Sequence, residues 1–301
     1  MSEDAPAWLR RLPLEIVYAI LRFAARDALS NRNIAWATTL PLVSRAVHTQ
    51  LVPILYHTVV VAQNIDRYRS LMRSPASRTM LSHVQRLYIY RWLDDHDIKL
   101  FARALTGKKI QILHAPMALV ARLSESNEFS ATEIHIEFAP FDTITLLGTP
   151  ALSRVTHLLA FWPDDPAMEE TPRFELALSL PALTHLAIRF ADFDQPQLPA
   201  SFDFSAVASS LRSVLQHPSL LLLVLELAGA YAHSEQDFKA KLQELHDARV
   251  FLWVNDRVIP LSWHRFRETS ETDALLGVSI WDRGYVVSPS TKSTESVSGA
   301  A

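Results

Sequence analysis

The chain has 301 residues and 49% hydrophobic content, which supplies enough apolar side chains for a sizeable buried core. It carries 29 Lys and Arg against 32 Asp and Glu, so its formal net charge of −3 gives no general attraction to nucleic acid or anionic membranes. Cysteine is absent, which excludes disulfides, cysteine-ligated zinc sites and any thioester step through a cysteine nucleophile.

The N-terminus MSEDAP is acidic and lacks the basic and apolar segments of a secretory signal. The longest apolar run, 220–225, is ended by Glu226 and is too short to span a bilayer. The sequence therefore predicts a cytoplasmic or nuclear protein that has no membrane or nucleic-acid partner.

Residues 12–61 carry the pattern of a small helical module. Pro13 precedes an apolar stripe, because proline fixes the backbone at a helix start without wasting an amide donor. The stripe consists of Leu14, Val17, Ile20 and Leu21. A second helical pattern covers 40–55, and the β-branched run 58–61 predicts a strand. Three short helices cannot bury all their apolar surface alone, so we expect the remainder to contact the rest of the chain or a partner.

Two motifs in this module occur in a characteristic order, LPxEI followed later by LxxVSRxxxxxxxPxLY. They are carried by Leu12, Pro13, Glu15, Ile16, Ile20, Val43, Ser44, Arg45, Pro53 and Tyr56. This order resembles an F-box, the three-helix module that docks substrate receptors onto the Skp-type adaptor of cullin-based SCF ubiquitin ligases. The resemblance implies an adaptor contact through Leu12, Pro13, Ile16, Ile20 and Val43. The alternative interpretation is a helical cap that closes the following domain.

Short apolar strand candidates follow the module, and they begin at Val84, Lys109, Thr132, Arg154, Leu183, Leu220 and Ala248. We expect equivalent positions at Leu87, Ile112, Ile136, Leu158, Leu186, Leu223 and Leu252. Most intervals between these positions lie in the twenties, which is typical of leucine-rich repeats that bury alternate strand residues in a shared core. Because the Asn or Cys that usually ends the strand motif is missing, the pattern resembles the irregular repeats behind F-boxes in fungal proteins.

The predicted fold class is α/β (α+β), with an F-box-like module at 8–61, a degenerate leucine-rich-repeat-like solenoid with a parallel sheet at 62–287, and a disordered tail at 288–301. Helices or short turns are predicted between the strands, at 98–104, 117–123, 174–180, 204–215 and 234–246. An ordinary α/β domain, in which helices separate the strands, gives similar spacing and stays the alternative.

Alternation along the strands predicts one sheet face that points to solvent. Its residues are Arg86, Tyr88, Tyr90, Gln111, His135, Glu137, His157, Phe161, His185, Arg189, Glu226, Phe251 and Trp253. This face mixes aromatic and charged side chains, so we expect it to bind a segment of an unknown target protein. The predicted contacts are Arg86, Tyr88, Tyr90, His135, His157, His185, Arg189 and Trp253.

Three histidines of this face, His135, His157 and His185, are expected at the same repeat position. In a parallel ladder they would stack about 4.8 Å apart and depress one another's protonation, which would make binding sensitive to pH. The plainer explanation is that histidine is a tolerated polar residue at an exposed strand position. No metal site is expected, because residues on three adjacent strands lie along a line and not at tetrahedral corners.

Catalytic motifs are scarce: the chain has no GxSxG, no HExxH and no glycine-rich phosphate loop. We therefore expect no enzyme and no cofactor, but a substrate receptor that joins a ligase adaptor to its target. One alternative is a non-catalytic repeat scaffold for protein–protein interaction without a ligase link. Another is a hydrolase on an α/β sheet, which needs a nucleophile and a base in one pocket.

Overall fold

A computed structural model describes residues 12–31, 33–61, 65–74, 79–91, 93–126, 128–137, 149–162, 175–192, 204–255, 270 and 273–287. The first residues of the predicted helical module, 8–11, and the predicted tail, 288–301, lie outside this range.

Nine strands form one sheet whose spatial order follows the chain. They are β1 (Thr58–Val61), β2 (Arg86–Ile89), β3 (Ile112–Pro116), β4 (Glu133–Glu137), β5 (His157–Trp162), β6 (His185–Asp192), β7 (Leu222–Gly229), β8 (Val250–Asn255) and β9 (Tyr285–Val286). Strands β1 to β8 pair in parallel, and β9 runs antiparallel to β8. The predicted α/β class with a parallel sheet is confirmed, and every strand candidate overlaps a strand.

The helices are α1 (Leu14–Ser30), α2 (Ile34–Thr39), α3 (Arg45–Leu55), α4 (Ile65–Arg73), α5 (Asp95–Leu105), α6 (Met117–Ser124), α7 (Glu175–Ser179), α8 (Phe204–Leu215) and α9 (Glu235–Gln243). Each helical segment predicted between strands overlaps one of them, whereas α4 was not predicted. In the described part of the chain, no helix combines the length and apolar content that crossing a membrane requires.

The main core lies between these helices and one face of the sheet, which we call the helix face. Its strand residues include Leu87, Ile89, Leu113, Ile134, Leu158, Leu186, Leu223 and Leu252. Phe101 of α5, Leu119 of α6, Leu211 of α8 and Phe238 of α9 are fully buried against them. Burial of such a side chain contributes about 1.5–3 kcal/mol, so this aliphatic layer dominates the stability of the sheet.

Helices α1 to α3 form a module with a small core of its own, separate from the main core. Ala25, Leu40, Val47 and Leu51 are buried there. The Ser44 hydroxyl begins α3 by accepting a hydrogen bond from the Val47 amide at 3.2 Å. Strand β1, which the sequence division places in this module, pairs with β2 and contributes Val61 to the main core. The module therefore ends before β1.

The strand register differs from the predicted equivalences at three positions. Leu87 aligns with Leu113 and not with Ile112. Ile134, not Ile136, aligns with Leu158, and Val250, not Leu252, aligns with Leu223. An offset of two keeps a side chain on its expected face, but the offset of one at β3 moves Ile112 to the opposite face.

Candidate functional site

Helix α1 carries two apolar stripes on opposite sides, where the sequence predicts one. Tyr18, Leu21 and Ala25 pack into the small core of the module. Ile16, Ile20 and Phe23 follow each other at helical spacing on the outside, with exposed fractions of 46%, 55% and 73%. The second stripe is therefore not needed to hold the module together.

The outer stripe belongs to a larger group of exposed apolar side chains on α1, α2 and the turn before α3. We call this group the N-terminal patch, and it consists of Leu14, Ile16, Ile20, Phe23, Ile34, Trp36, Leu42 and Val43. Leu42 and Val43 are 80% and 70% exposed. So many exposed large apolar side chains in one small module are typical of a protein-binding site.

Four of the five predicted adaptor contacts, Pro13, Ile16, Ile20 and Val43, are exposed, and Leu12 is half-buried. The sequence interpretation did not name Phe23, Trp36 or Leu42 as contacts. Phe23 follows Ile16 by two helical turns, so the periodicity of the outer stripe was the available signal.

The sheet face opposite the helices is covered by residues 273–287, which we call the strap; we call this sheet face the strap face. Ile280 packs on Leu159, Ala187 and Val224 in the middle of the sheet. Ala274 packs on Tyr88 and Tyr90. The predicted solvent exposure of this face is therefore wrong for Tyr88, Tyr90, Arg189 and Glu226, which are buried. The cause is the chain itself, because a segment distant in sequence folds back over the strands.

The register also corrects the predicted histidine ladder. His157 pairs with His185, and their rings stack with centroids 4.1 Å apart. His135 pairs instead with Leu159, whereas Glu133 occupies the position next to His157. His135 donates from Nε2 to a Glu133 carboxylate oxygen at 2.6 Å. The resulting cluster joins two stacked histidines to a glutamate–histidine pair.

A threonine ladder at the start of the strands orients the stacked histidines. The Thr156 hydroxyl donates to the Thr132 carbonyl and lies 2.8 Å from His157 Nδ1. The Thr184 hydroxyl donates to the Thr156 carbonyl and lies 2.8 Å from His185 Nδ1. Since each hydroxyl proton is used on a carbonyl, each Nδ1 must be the donor to its threonine. The tripeptide Thr-His-Leu, which occurs at both places, was the sequence signal for this arrangement.

Trp281 of the strap closes the histidine cluster. Its indole N–H donates to Glu133 at 3.0 Å, and its ring meets the His157 and His185 rings edge to face. Burial, and then the proximity of His185, lowers the pKa of His157; burial also lowers the pKa of His185. Burial opposes ionisation of Glu133, but hydrogen bonds from His135 and Trp281 outweigh it and hold its pKa below the usual value. Both histidines are thus favoured in the neutral form beneath the strap.

The other end of the strap face holds a buried ion pair. Arg189 donates from Nε to Glu226 at 2.5 Å, and the Asn255 amide donates to the second Glu226 oxygen at 2.8 Å. The guanidinium also lies over the Phe161 ring. Trp253, another predicted contact, lies under Arg283 of the strap.

Arg86 and Gln111, two further residues of the predicted solvent-facing sheet face, lie away from the histidine cluster and the ion pair. Arg86 begins β2 next to Ile112, and its guanidinium approaches Gly277 of the strap so closely that a side chain there would meet it. Gln111 precedes β3 and is not one of its strap-face residues. His114, which the sequence analysis did not name, occupies the strap-face position beside Tyr88 and His135. The one-residue offset of Ile112 explains this miss.

A cavity of about 50 Å³ remains between the strap and the sheet, lined by Tyr88, His114, Arg189, Trp253 and Ile280 among others. Ligand pockets usually measure about 300–1,000 Å³, so the strap fills most of this face. Among the described residues, no group of three or more His, Cys, Asp or Glu side chains is placed to hold a metal ion. The threonine hydroxyls beside the histidines donate to backbone carbonyls and are not oriented as nucleophiles.

Comparison with known proteins gives no relative: no family model, no curated protein and no solved structure matches this chain.

Proposed function

We propose that this chain is a non-catalytic substrate-recognition subunit of an SCF-type cullin ubiquitin ligase, located in the cytoplasm or nucleus. Its N-terminal patch binds a Skp-type adaptor, and its sheet domain binds a target protein. The observation that carries the proposal is the outer stripe of α1, which stays exposed although a separate stripe already packs the module.

The composition of the patch fits a permanent protein contact. Its aliphatic and aromatic side chains are about half exposed or more, and complete burial of such a side chain contributes about 1.5–3 kcal/mol. Pro13 at the start of α1 and Ser44 at the start of α3 lie where the F-box-like motifs require helix starts. These features support adaptor binding as the role of the module.

The sheet supports a leucine-rich-repeat-like solenoid as the second part. Strand order follows the chain, the first eight strands are parallel, and a helix or turn precedes the next strand at most steps. Each repeat therefore contacts its neighbours in sequence, which is the defining property of a solenoid. The strand ends lack the usual asparagine ladder, and the threonine ladder at the strand starts supplies side-chain-to-backbone hydrogen bonds instead.

The test is co-purification of the full chain with a Skp-type adaptor. Replacing Ile20 and Val43 with glutamate is expected to weaken binding at least tenfold, because two charges would be buried in an apolar interface. The matched control is Leu221→Glu, since Leu221 is 65% exposed and lies outside the N-terminal patch. The proposal is wrong if the wild-type chain does not bind the adaptor, and the scaffold without a ligase link would then be favoured. It is also wrong if the double variant binds as well as Leu221→Glu.

A further inference from the structure

The two faces of the sheet differ in the kind of side chain that they bury. The helix face is covered by aliphatic and phenylalanine side chains from the helices. The strap face buries His114, Arg189 and Glu226 together with two tyrosines. Arg189 and Glu226 are paired with each other, but a buried ion pair rarely stabilises a fold more than well-packed apolar side chains do, so a permanently closed layer gains little from them. A mixture of aromatic and polar groups is instead typical of a binding surface.

The strap buries few apolar side chains for its length. Ala274, Ile280 and Val287 are its buried apolar residues, whereas Leu276, Val278 and Tyr285 are exposed. Its strand β9 pairs with β8 over two residues only. A segment with so few buried contacts belongs to the parts of a protein that open locally at low free energy.

The contacts of the strap define what the face recognises. Ile280 occupies the apolar centre formed by Leu159, Ala187 and Val224. Trp281, the next residue, donates its indole N–H to Glu133 and places its ring against two histidines. The recognised element is therefore an aliphatic residue followed directly by a tryptophan.

We propose that the strap face is a binding site for an extended peptide segment that carries an aliphatic–tryptophan pair, and that the strap occupies this site as an internal, displaceable ligand. A target segment of the same chemistry takes the place of Ile280 and Trp281. This inference deepens the target-binding half of the proposed function and is independent of adaptor binding. The strap lowers the apparent affinity for the target by the fraction of molecules in which the face is closed.

The probe for this inference is a fluorescein-labelled peptide with the sequence of residues 273–287, titrated with the full chain in an anisotropy assay. Wild type is expected to bind it weakly, because its own strap competes. Trp281→Ala removes the anchor of the strap and is expected to bind the peptide at least about tenfold more tightly. A peptide in which the tryptophan is alanine should not bind. Trp36→Ala is the matched control, because it removes a tryptophan from the N-terminal patch.

A second variant loosens the strap without touching its aromatic anchor. Gly284 has a φ of +93°, and an added Cβ would lie 3.0 Å from the Leu252 carbonyl oxygen. Gly284→Ala therefore strains the strap against β8 and is expected to increase peptide binding in the same direction as Trp281→Ala. If Trp281→Ala does not fold, Gly284→Ala provides the measurement.

An engineered disulfide that can be reduced provides the opposite test, because it holds the strap closed. The Val287 amide donates to the Val250 carbonyl, so the adjoining antiparallel pair Phe251–Val286 is the non-hydrogen-bonded one. Its Cα atoms lie about 4.5 Å apart, within the range of about 4.4–6.8 Å that a disulfide spans. The chain has no cysteine, so a Phe251→Cys, Val286→Cys pair can form only this bond within one molecule. Combined with Trp281→Ala or Gly284→Ala, the disulfide is expected to abolish peptide binding and its reduction to restore it.

The inference is overturned if neither loosened variant binds the peptide more tightly than wild type and Trp36→Ala. It is equally overturned if a peptide without tryptophan binds as well, or if both loosened variants lose the far-UV circular dichroism of the sheet, because the strap would then be part of the permanent core. Adaptor co-purification is scored separately, so failure of this inference and failure of the ligase proposal are distinguishable.

Discussion

Replacing Arg189 with methionine is expected to destabilise the fold by about 3–5 kcal/mol. The Glu226 carboxylate is 0% exposed and would lose its cationic partner while remaining buried beneath the strap. Methionine keeps most of the length of the arginine stem, so the change removes charge and hydrogen bonds more than volume. A loss of this size is a large part of the 5–15 kcal/mol that usually separates native and unfolded states.

The measurement is urea unfolding followed by far-UV circular dichroism, with the slope of the transition as a check that the native state is unchanged. The double variant Arg189→Met, Glu226→Gln is expected to recover about 2 kcal/mol or more, because the glutamine oxygen still accepts the Asn255 amide without a buried charge. Arg122→Met is the control, since its ion pair with Glu125 is exposed and contributes about 1 kcal/mol or less. A loss below about 1 kcal/mol in Arg189→Met, or no recovery in the double variant, would refute the reasoning.

Two further predictions concern pH and helix capping. The pKa values of His157 and His185 are lowered in the folded state, so the unfolded state binds more protons, and stability is expected to fall as pH drops below about 6.5. Urea midpoints at pH 7.5 and 5.5 test this, and a double His→Asn variant with an equal pH response would contradict it. Ser44→Ala is expected to cost the N-terminal module about 1 kcal/mol by removing the cap of α3, seen as faster hydrogen exchange in that helix. Ser44→Asp, which keeps an acceptor, should exchange like wild type; equal exchange in both variants would argue against the cap.

Local patterns predicted the elements because helix and strand periodicity is written in neighbouring residues. The helix predicted over 204–215 has the same bounds in the structure, and each predicted strand overlaps the observed one. Helix α4 was not predicted because its sequence, IDRYRSLMR, is short and mostly polar, although Ile65, Tyr68 and Met72 lie at helical spacing and pack in the main core.

Contacts between distant segments left no comparable signal. Trp281 and Glu133 are 148 positions apart, and neither residue type indicates the other as a partner. The register of β3 was misassigned because Ile110 and Ile112 mimic an inward-facing alternation, whereas Leu113 and Ala115 are the core residues of that strand. The solvent exposure predicted for the strap face was wrong because strand alternation determines which face a side chain lies on, but not which distant segment of the chain packs over that face.

Substitutions in the N-terminal patch and on the strap face have different effects on stability, and this determines how a loss of binding must be interpreted. Side chains of the N-terminal patch such as Phe23 and Leu42 are largely exposed, so substitutions there are expected to change stability by about 0.5 kcal/mol or less, and lost binding reports a lost contact. Tyr88, Tyr90 and Arg189 are buried beneath the strap, so lost target binding after their substitution also follows from a disrupted sheet. Substitutions on the strap test the same face without removing its side chains. Target recognition is therefore tested more directly at Trp281 than at the strand residues that the sequence singles out.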